Sequence, residues 1–406
     1  MNEIVVTGIG IISPLGIGRE AFQTNLTKGK TGIKRITSFD STSLHSNIAG
    51  CIEDFDPRGF MSPGAYRRMG RVSRMAVAAS IEALDDSRLV LDTMDRERVA
   101  VIMGTAYGSS SHVENFYLSF LENGPRGTQP FLFPDTVPNA PASHIAIFHK
   151  MTGPNTTFCQ NEISAELAML YARSILLKRL ADVALVGGAD ELSPILFQCY
   201  DALGALNRVK IGKGQTMDPK PGRGLVLGEG ACVLVLERDD FAAGRGAETY
   251  GVLKSGVVKG GITSVGHYEP EGDQMGRAMT MAMEQAGVAP DGVDEIHVSA
   301  NFSGELERME CRQIEKAFGK AAMHLGVTPL KYLTGDYGGA GTLRAAAILM
   351  GFRHQLTPPT VTAAMLEGDP KHPLKWDYST AGKSRCALMT TSTFGGGSSS
   401  FVFVNE

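Results

Sequence analysis

What the chain lacks narrows its function first. Six cysteines, at positions 51, 159, 199, 232, 311 and 386, are scattered, with no Cys-x-x-Cys pair and no cysteine–histidine cluster. That excludes a zinc site of the usual spacing and a disulfide framework, and it suits a reducing cytoplasm. No apolar run reaches the ~18 residues that a membrane span needs. The first apolar strand starts almost at the first residue, so no leader peptide is expected. Basic residues are not in excess: 39 Lys and Arg face 43 Asp and Glu, for a net charge of −4. Without a global basic field, nucleic acid is excluded as a main partner. Low-complexity stretches and flexible linkers are absent too.

What is present is a large supply of core. The chain has 406 residues, 43% of them hydrophobic, enough for one large α/β unit or several smaller domains. Near-continuous Val/Ile runs such as those in Asn2–Ile12, Val99–Gly104, Val183–Asp190 and Leu225–Glu237 predict strands covered on both faces. Helices are predicted at about 19–26, from Arg67 to about Ser87, and over 142–151 and 164–179. The segment 105–139 reads as long and irregular, with aromatics at Phe116, Tyr117, Phe120, Phe131 and Phe133. Such a segment either lines a channel or covers a partner.

After the polar stretch 238–248 the alternation restarts: strand 249–259, helix 272–286, strand 294–300, helix 305–318, strand 325–328, helix 339–353, and strands 385–391 and 400–405. The same order running twice predicts duplicated halves, 1–245 and 246–406, built from βαβ units around largely parallel sheets.

One stretch organises the rest. Gly153-Pro154-Asn155 opens a short strand that turns sharply at Gln160-Asn161-Glu162 and passes into a helix at Ser164. A strand–turn–helix of this kind presents one residue beside the unpaired N–H groups of the helix start. Here that residue is Glu162, within the loop 153–166. Further signals follow in order: Arg67-Arg68-Met69, then Asp218 to Gly230 with Arg223, Gly224, Gly228, Glu229 and Gly230. Ser299-Ala300-Asn301-Phe302, Lys331 followed by Thr334-Gly335-Asp336, and Phe394-Gly395-Gly396-Gly397-Ser398 complete the set.

In these motifs and their order the chain resembles the β-ketoacyl synthases. The resemblance implies a thiolase-like α/β fold, two duplicated βαβαβαββ halves forming a five-layered α-β-α-β-α unit. Members condense acyl chains with a cysteine, two histidines and a lysine. The cysteine column is filled here by Glu162, the histidine columns by Asn301 and Asp336, and only Lys331 remains. A carboxylate forms no acyl thioester, and neither Asn301 nor Asp336 replaces an imidazole. Cys159, three residues early, reads as a small buried cysteine, and His297 as a core or edge histidine.

The chain is therefore similar to the chain-length factors of type II polyketide systems, which keep the scaffold without the cysteine. That implies a non-condensing partner of a ketosynthase in polyketide or fatty-acid synthesis. The alternative is an acyl-thioester enzyme (malonyl decarboxylase, hydrolase or acyltransferase) using Glu162 and Asp336. The four site residues then form either a buried polar network or a repurposed acid–base site. The resemblance further implies a homologous ketosynthase or a second copy as partner, pairing along Asn155 to Cys159, and no cofactor or metal. Phe116, Phe133, Phe394, Gly395 and Gly396 are expected at a substrate tunnel and gate. Arg67, Arg68, Arg71 and Arg74 are expected to dock an acyl carrier protein, or else form a solvated helix face. Glu162 and Lys331 are expected within reach of one another.

Overall fold

A computed structural model describes residues 3–213, 224–264, 266–323, 325–355 and 384–405. Ten strands build two five-stranded sheets: β1 (Ile4–Ser13), β2 (Val99–Gly104), β3 (Asn155–Phe158), β4 (Val183–Asp190) and β5 (Gly230–Arg238) in one, and β6 (Gly251–Lys259), β7 (Glu295–His297), β8 (Gly326–Thr328), β9 (Cys386–Ser392) and β10 (Ser398–Val404) in the other. The orders are β1-β5-β4-β2-β3 and β6-β10-β9-β7-β8, the same permutation twice. A short antiparallel pairing of β1 with β6 (Val5 opposite Val252, Val6 opposite Gly251) joins the two edge to edge.

Each sheet is mixed rather than largely parallel. β1 and β4 run antiparallel to β5, while β2 runs parallel to β3 and β4. The second sheet repeats this pattern. The reason lies in the last strand of each half, which returns between the first strand and the parallel set.

The helices that place the site are α1 (Arg19–Thr27), α2 (Arg71–Ser87), α3 (Ser110–Gly127), α4 (Ala140–His149), α5 (Ser164–Leu177), α6 (Pro194–Ala202), α7 (Asp273–Ala286), α8 (Gly304–Phe318) and α9 (Ala340–His354). α5 and α9 pack on each other and on strands of both sheets, so they form the middle layer. α2 and α4 cover the outer face of the first sheet; α7, backed by α8, covers that of the second. This is the five-layered α-β-α-β-α arrangement that the resemblance implied.

The layering follows from strands that are apolar on both faces. Cys232, Leu234 and Leu236 of β5 face the central core, and Ala231, Val233 and Val235 face the outer one. β1 approaches α2 closely because Gly10 has no side chain: a Cβ there would lie 1.9 Å from the carbonyl oxygen of Ala79. Among the described residues no helix is long and apolar enough to cross a membrane.

Several sequence expectations shift. The 105–139 segment is not irregular: α3 occupies much of it, kinked at Gly124, and a 3₁₀ turn covers Pro130–Asp135. The helix expected from Arg67 begins at Arg71, after a separate turn at Pro63–Tyr66. α6 was not anticipated, and the strand expected from Leu225 begins only at Gly230. Asp218 and Arg223 lie outside the described residues.

The two middle helices are bridged by charge. Arg344 Nη1 of α9 stands 3.6 Å from Glu166 Oε1 of α5, and both side chains are fully buried. Thr391 accepts from Arg344 at 2.6 Å and donates to Glu166 at 2.5 Å. Burial holds the Glu166 carboxyl above its usual range, with Arg344 and Thr391 opposing. Arg344→Met strands that carboxyl and is expected to cost about 3–5 kcal/mol in denaturant unfolding, whereas adding Glu166→Gln recovers part of the loss.

Candidate functional site

The site forms where the start of α5 meets the loops of the second half. β3 ends at Phe158, and the turn is closed by Ser164, whose Oγ accepts from Gln160 N at 2.8 Å and donates to Asn161 O at 2.7 Å. Asn161 takes a left-handed conformation, φ 47°. Asparagine tolerates that region better than most residues. The turn carries Glu162 inward to the helix start, where its side chain is 8% exposed.

Glu162 Oε2 accepts from Thr393 Oγ1, at the first residue of the loop between β9 and β10. Burial is the main cause that raises the Glu162 carboxyl to about 7. The negative charge of Asp336 adds to it; Thr393 and Lys331 oppose it.

Asn301, Lys331 and Asp336 bind one another. Lys331 Nζ is 2.7 Å from Asp336 Oδ1, with both side chains buried. Asn301 Nδ2 donates to Asp336 Oδ2 at 2.7 Å and to the Tyr268 hydroxyl at 3.0 Å, and Asn301 Oδ1 accepts from Ser303 N at 3.1 Å. Lys331 also reaches Ser299 Oγ at 3.4 Å. The pairing expected between Glu162 and Lys331 is thus replaced: the lysine has chosen the nearer carboxylate, five residues along its own loop. Residues 224–228 thread between the two loops. Val226 N donates to Asn301 O at 3.3 Å, and Asp336 N donates to Val226 O at 2.8 Å. Their ladder is spent on the site, so they form only isolated bridges with other segments.

The space left is small. A cavity of about 20 Å³ lies among Tyr107, Tyr200, Glu162, Asp336, Leu225 and Leu227, room for about one water. Its chemistry is that of a proton carried near neutrality on Glu162, with no thiolate and no imidazole.

The remaining expectations divide. Phe394 is at the site, its ring centroid 4.6 Å from that of Tyr268. Gly395 and Gly396 follow it at φ 92° and 89°. A Cβ on Gly396 would meet the backbone of Gly261 at 3.0 Å, so the loop closes there only with glycine. Phe116 and Phe133 do not line the cavity. They pack on each other at 5.8 Å, on the face that also exposes Tyr117, Leu118, Leu121 and Phe131.

Among the four arginines, Arg67 and Arg68 are exposed. Arg71 is committed inward, holding Glu229 through Nε and Nη2 at 2.8 Å each, and Arg74 Nε donates to Tyr66 O at 3.2 Å. Two residues of the expected docking face are therefore structural. Cys159 is exposed rather than buried, because it follows the end of β3. His297 is buried, as expected of a core histidine, and burial lowers it to about 3. Sequence reasoning gave no role to Tyr107, Tyr200, Tyr268, Ser299 and Thr393. Ser299 lies inside a quoted motif and Thr393 adjoins one, so these two could have been found.

Two family models match the chain: "Beta-ketoacyl synthase, N-terminal domain" over residues 1–242 and "Beta-ketoacyl synthase, C-terminal domain" over residues 250–364. The chain is 32% identical over 373 residues to a putative polyketide beta-ketoacyl synthase 1 of Streptomyces halstedii, covering 88% of this chain and 87% of that one. Among solved structures it is similar to the ishigamide ketosynthase/chain length factor (TM-score 0.89, 26% identity, 100% of this chain and 99% of that one). It shares the fold of a type II polyketide ketosynthase solved with its acyl-carrier protein (TM-score 0.89, 21% identity, all of both chains).

The raised Glu162 carboxyl makes stability depend on pH. Between its ordinary 4.5 and about 7, the folded chain holds a proton that the unfolded chain has released. Stability therefore falls as pH rises through that window and levels off above it. Relative to Glu162→Gln, the wild type should lose up to about 1.4 kcal/mol per pH unit there. Denaturant midpoints of both proteins at several pH values measure it, and parallel pH profiles would contradict the assignment.

Proposed function

For a chain that belongs to the β-ketoacyl synthase family, we propose the role of a non-condensing partner subunit, of the chain-length-factor type, for an active ketosynthase in polyketide or fatty-acid biosynthesis. One observation carries this. The nucleophile position holds a glutamate turned into a network of the chain's own side chains, and the space beside it takes about one water. With 1–245 and 246–406 as its halves, the scaffold supplies shape rather than the bond-forming step.

The surface supports a partner. Among the described residues β3 is the outermost strand of its sheet, paired on one side only, with β2. An open edge of this kind invites a strand from a second chain. Apolar side chains of α3 and the following turn are exposed as well: Tyr117, Leu121, Phe131 and Phe133 are 57–62% exposed. Exposed apolar area of this extent marks an interaction surface. We propose a homologous ketosynthase as the occupant, by analogy with the ketosynthase/chain length factor neighbour, and an acyl carrier protein reaching the pair through Arg67 and Arg68. The six free cysteines fit a cytoplasmic setting.

A second reading has one observation in its favour. A carboxyl raised to about 7 suits general acid–base work on a thioester. Release of CO₂ or free acid from a malonyl or acyl carrier protein, abolished by Glu162→Gln, would favour it.

The purified chain is expected to give no condensation product with acyl and malonyl carrier proteins, followed by mass spectrometry. Glu162→Cys alone is expected to leave it inactive, since Asn301 and Asp336 supply no imidazole to stabilise the developing enolate. A condensed product from the wild type, or an acyl adduct on Cys159, would overturn the reading.

A further inference from the structure

Two tyrosines from separate segments meet over the pocket. Tyr107 follows β2, and Tyr200 lies on α6. Their hydroxyls are 2.5 Å apart and their rings stand edge to face at 6.5 Å. Both belong to the wall of the cavity that holds Glu162 and Asp336. Tyr107 is 37% exposed, so the pair lies between the cavity and the surface.

Neither tyrosine hangs on a loose segment. Asp190, at the end of β4, accepts from Thr105 Oγ1 at 2.7 Å, Ala106 N at 2.9 Å and Tyr107 N at 3.1 Å. The same carboxylate accepts from Gly339 N at 2.9 Å, at the start of α9. One buried acid therefore fixes the Tyr107 loop against the middle layer. Tyr200 is fixed by its helix, which opens with Pro194 and the Ser193 Oγ cap on Leu196 N at 3.4 Å and packs against α3. Burial, with the Glu162 charge as a further cause, raises both phenols above their ordinary range, so both stay protonated and able to bridge.

We infer that the Tyr107–Tyr200 hydroxyl bridge is a bolt that keeps the acyl end of a carrier-bound thioester out of this chain's pocket. The inference rests on the partner-subunit reading and deepens it. Losing the nucleophile prevents bond formation, whereas the bolt prevents unproductive occupancy, leaving the tethered chain to the partner. The bridge is one hydrogen bond at a partly exposed rim, so it closes the mouth by position rather than by strength. It is also broken by the smallest substitution, the loss of one hydroxyl.

The test reads access rather than activity. Glu162→Cys in a Cys159→Ser/Cys199→Ser background places a thiol behind the bolt, and alkylation at position 162 by iodoacetamide is followed by peptide mass spectrometry. The Asp336 charge slows any thiol there, so rates are compared only among tyrosine variants in that same background. Tyr200→Phe should raise the rate roughly five- to tenfold by removing the bridge alone, and Tyr107→Ala should raise it further. A rate unchanged by both would overturn the proposal.

Should the cysteine background not fold, a second measurement keeps Glu162. A diazirine-bearing octanoyl-pantetheine is photolysed with the full chain and its cross-links are mapped. Cross-links near residues 162 and 337 are expected with Tyr107→Ala and not with the wild type, and equal labelling of both would contradict the bolt. Access is read here without reference to condensation, so equal labelling of a wild type that gives no condensation product would fail the bolt alone.

Discussion

Two helices packed between the sheets, one of them with almost no water to face, set the terms for everything else. α5 and α9 lie between the sheets, and from Ala340 to Phe352 every residue of α9 is buried. A helix so placed cannot be amphipathic; it must be small and apolar around its whole girth. α9 meets this with Ala345, Ala346 and Ala347 and one charged exception, Arg344. The exception is tolerated because Glu166, Thr391 and the carbonyl oxygens of His297 and Thr390 surround the guanidinium. The layer also decides where the site lies. The start of α5 and the loop before α9 open at the same place, so residues from both halves share one buried volume.

Charges in that volume must be settled locally, because water is not at hand. Four carboxyl groups, Glu162, Glu166, Glu310 and Asp336, stand among two cations, Lys331 and Arg344, and all six are buried. The count leaves an excess of acid. The excess is met with protons: burial raises Glu162 to about 7 and Glu310 to about 8. Lys331 then serves Asp336, and Asn301 completes that carboxylate's partners. Asn301, Lys331 and Asp336 thus satisfy one another, while Glu162 is met by Thr393.

The duplicated fold was legible because strands buried on both faces write themselves as Val/Ile runs, and because the order of elements repeats. The site positions were legible for a different reason: each sits inside a motif whose order and spacing resemble the family's. What could not be read was pairing. Asp336 lies five residues after Lys331 and Glu162 lies 169 before it, and the folded loops give the lysine to Asp336. Arg71 and Arg74 look like a basic face beside Arg67 and Arg68, yet helix phase turns them toward Glu229 and the Tyr66 carbonyl. α3 escaped notice because Gly124 and Pro125 break its pattern and its aromatics face outward. Tyr107 and Tyr200 belong to no periodic signal, since each matters only through the other.

The central claim is that the pocket is held by the mutual pairing of its own side chains. A double-mutant cycle of Lys331→Met and Asp336→Asn, read by denaturant unfolding, tests it most directly. The account predicts that each single change costs about 3–5 kcal/mol, and that the double costs clearly less than their sum, because neither charge is then stranded. Strictly additive losses, or single variants as stable as the wild type, would contradict it.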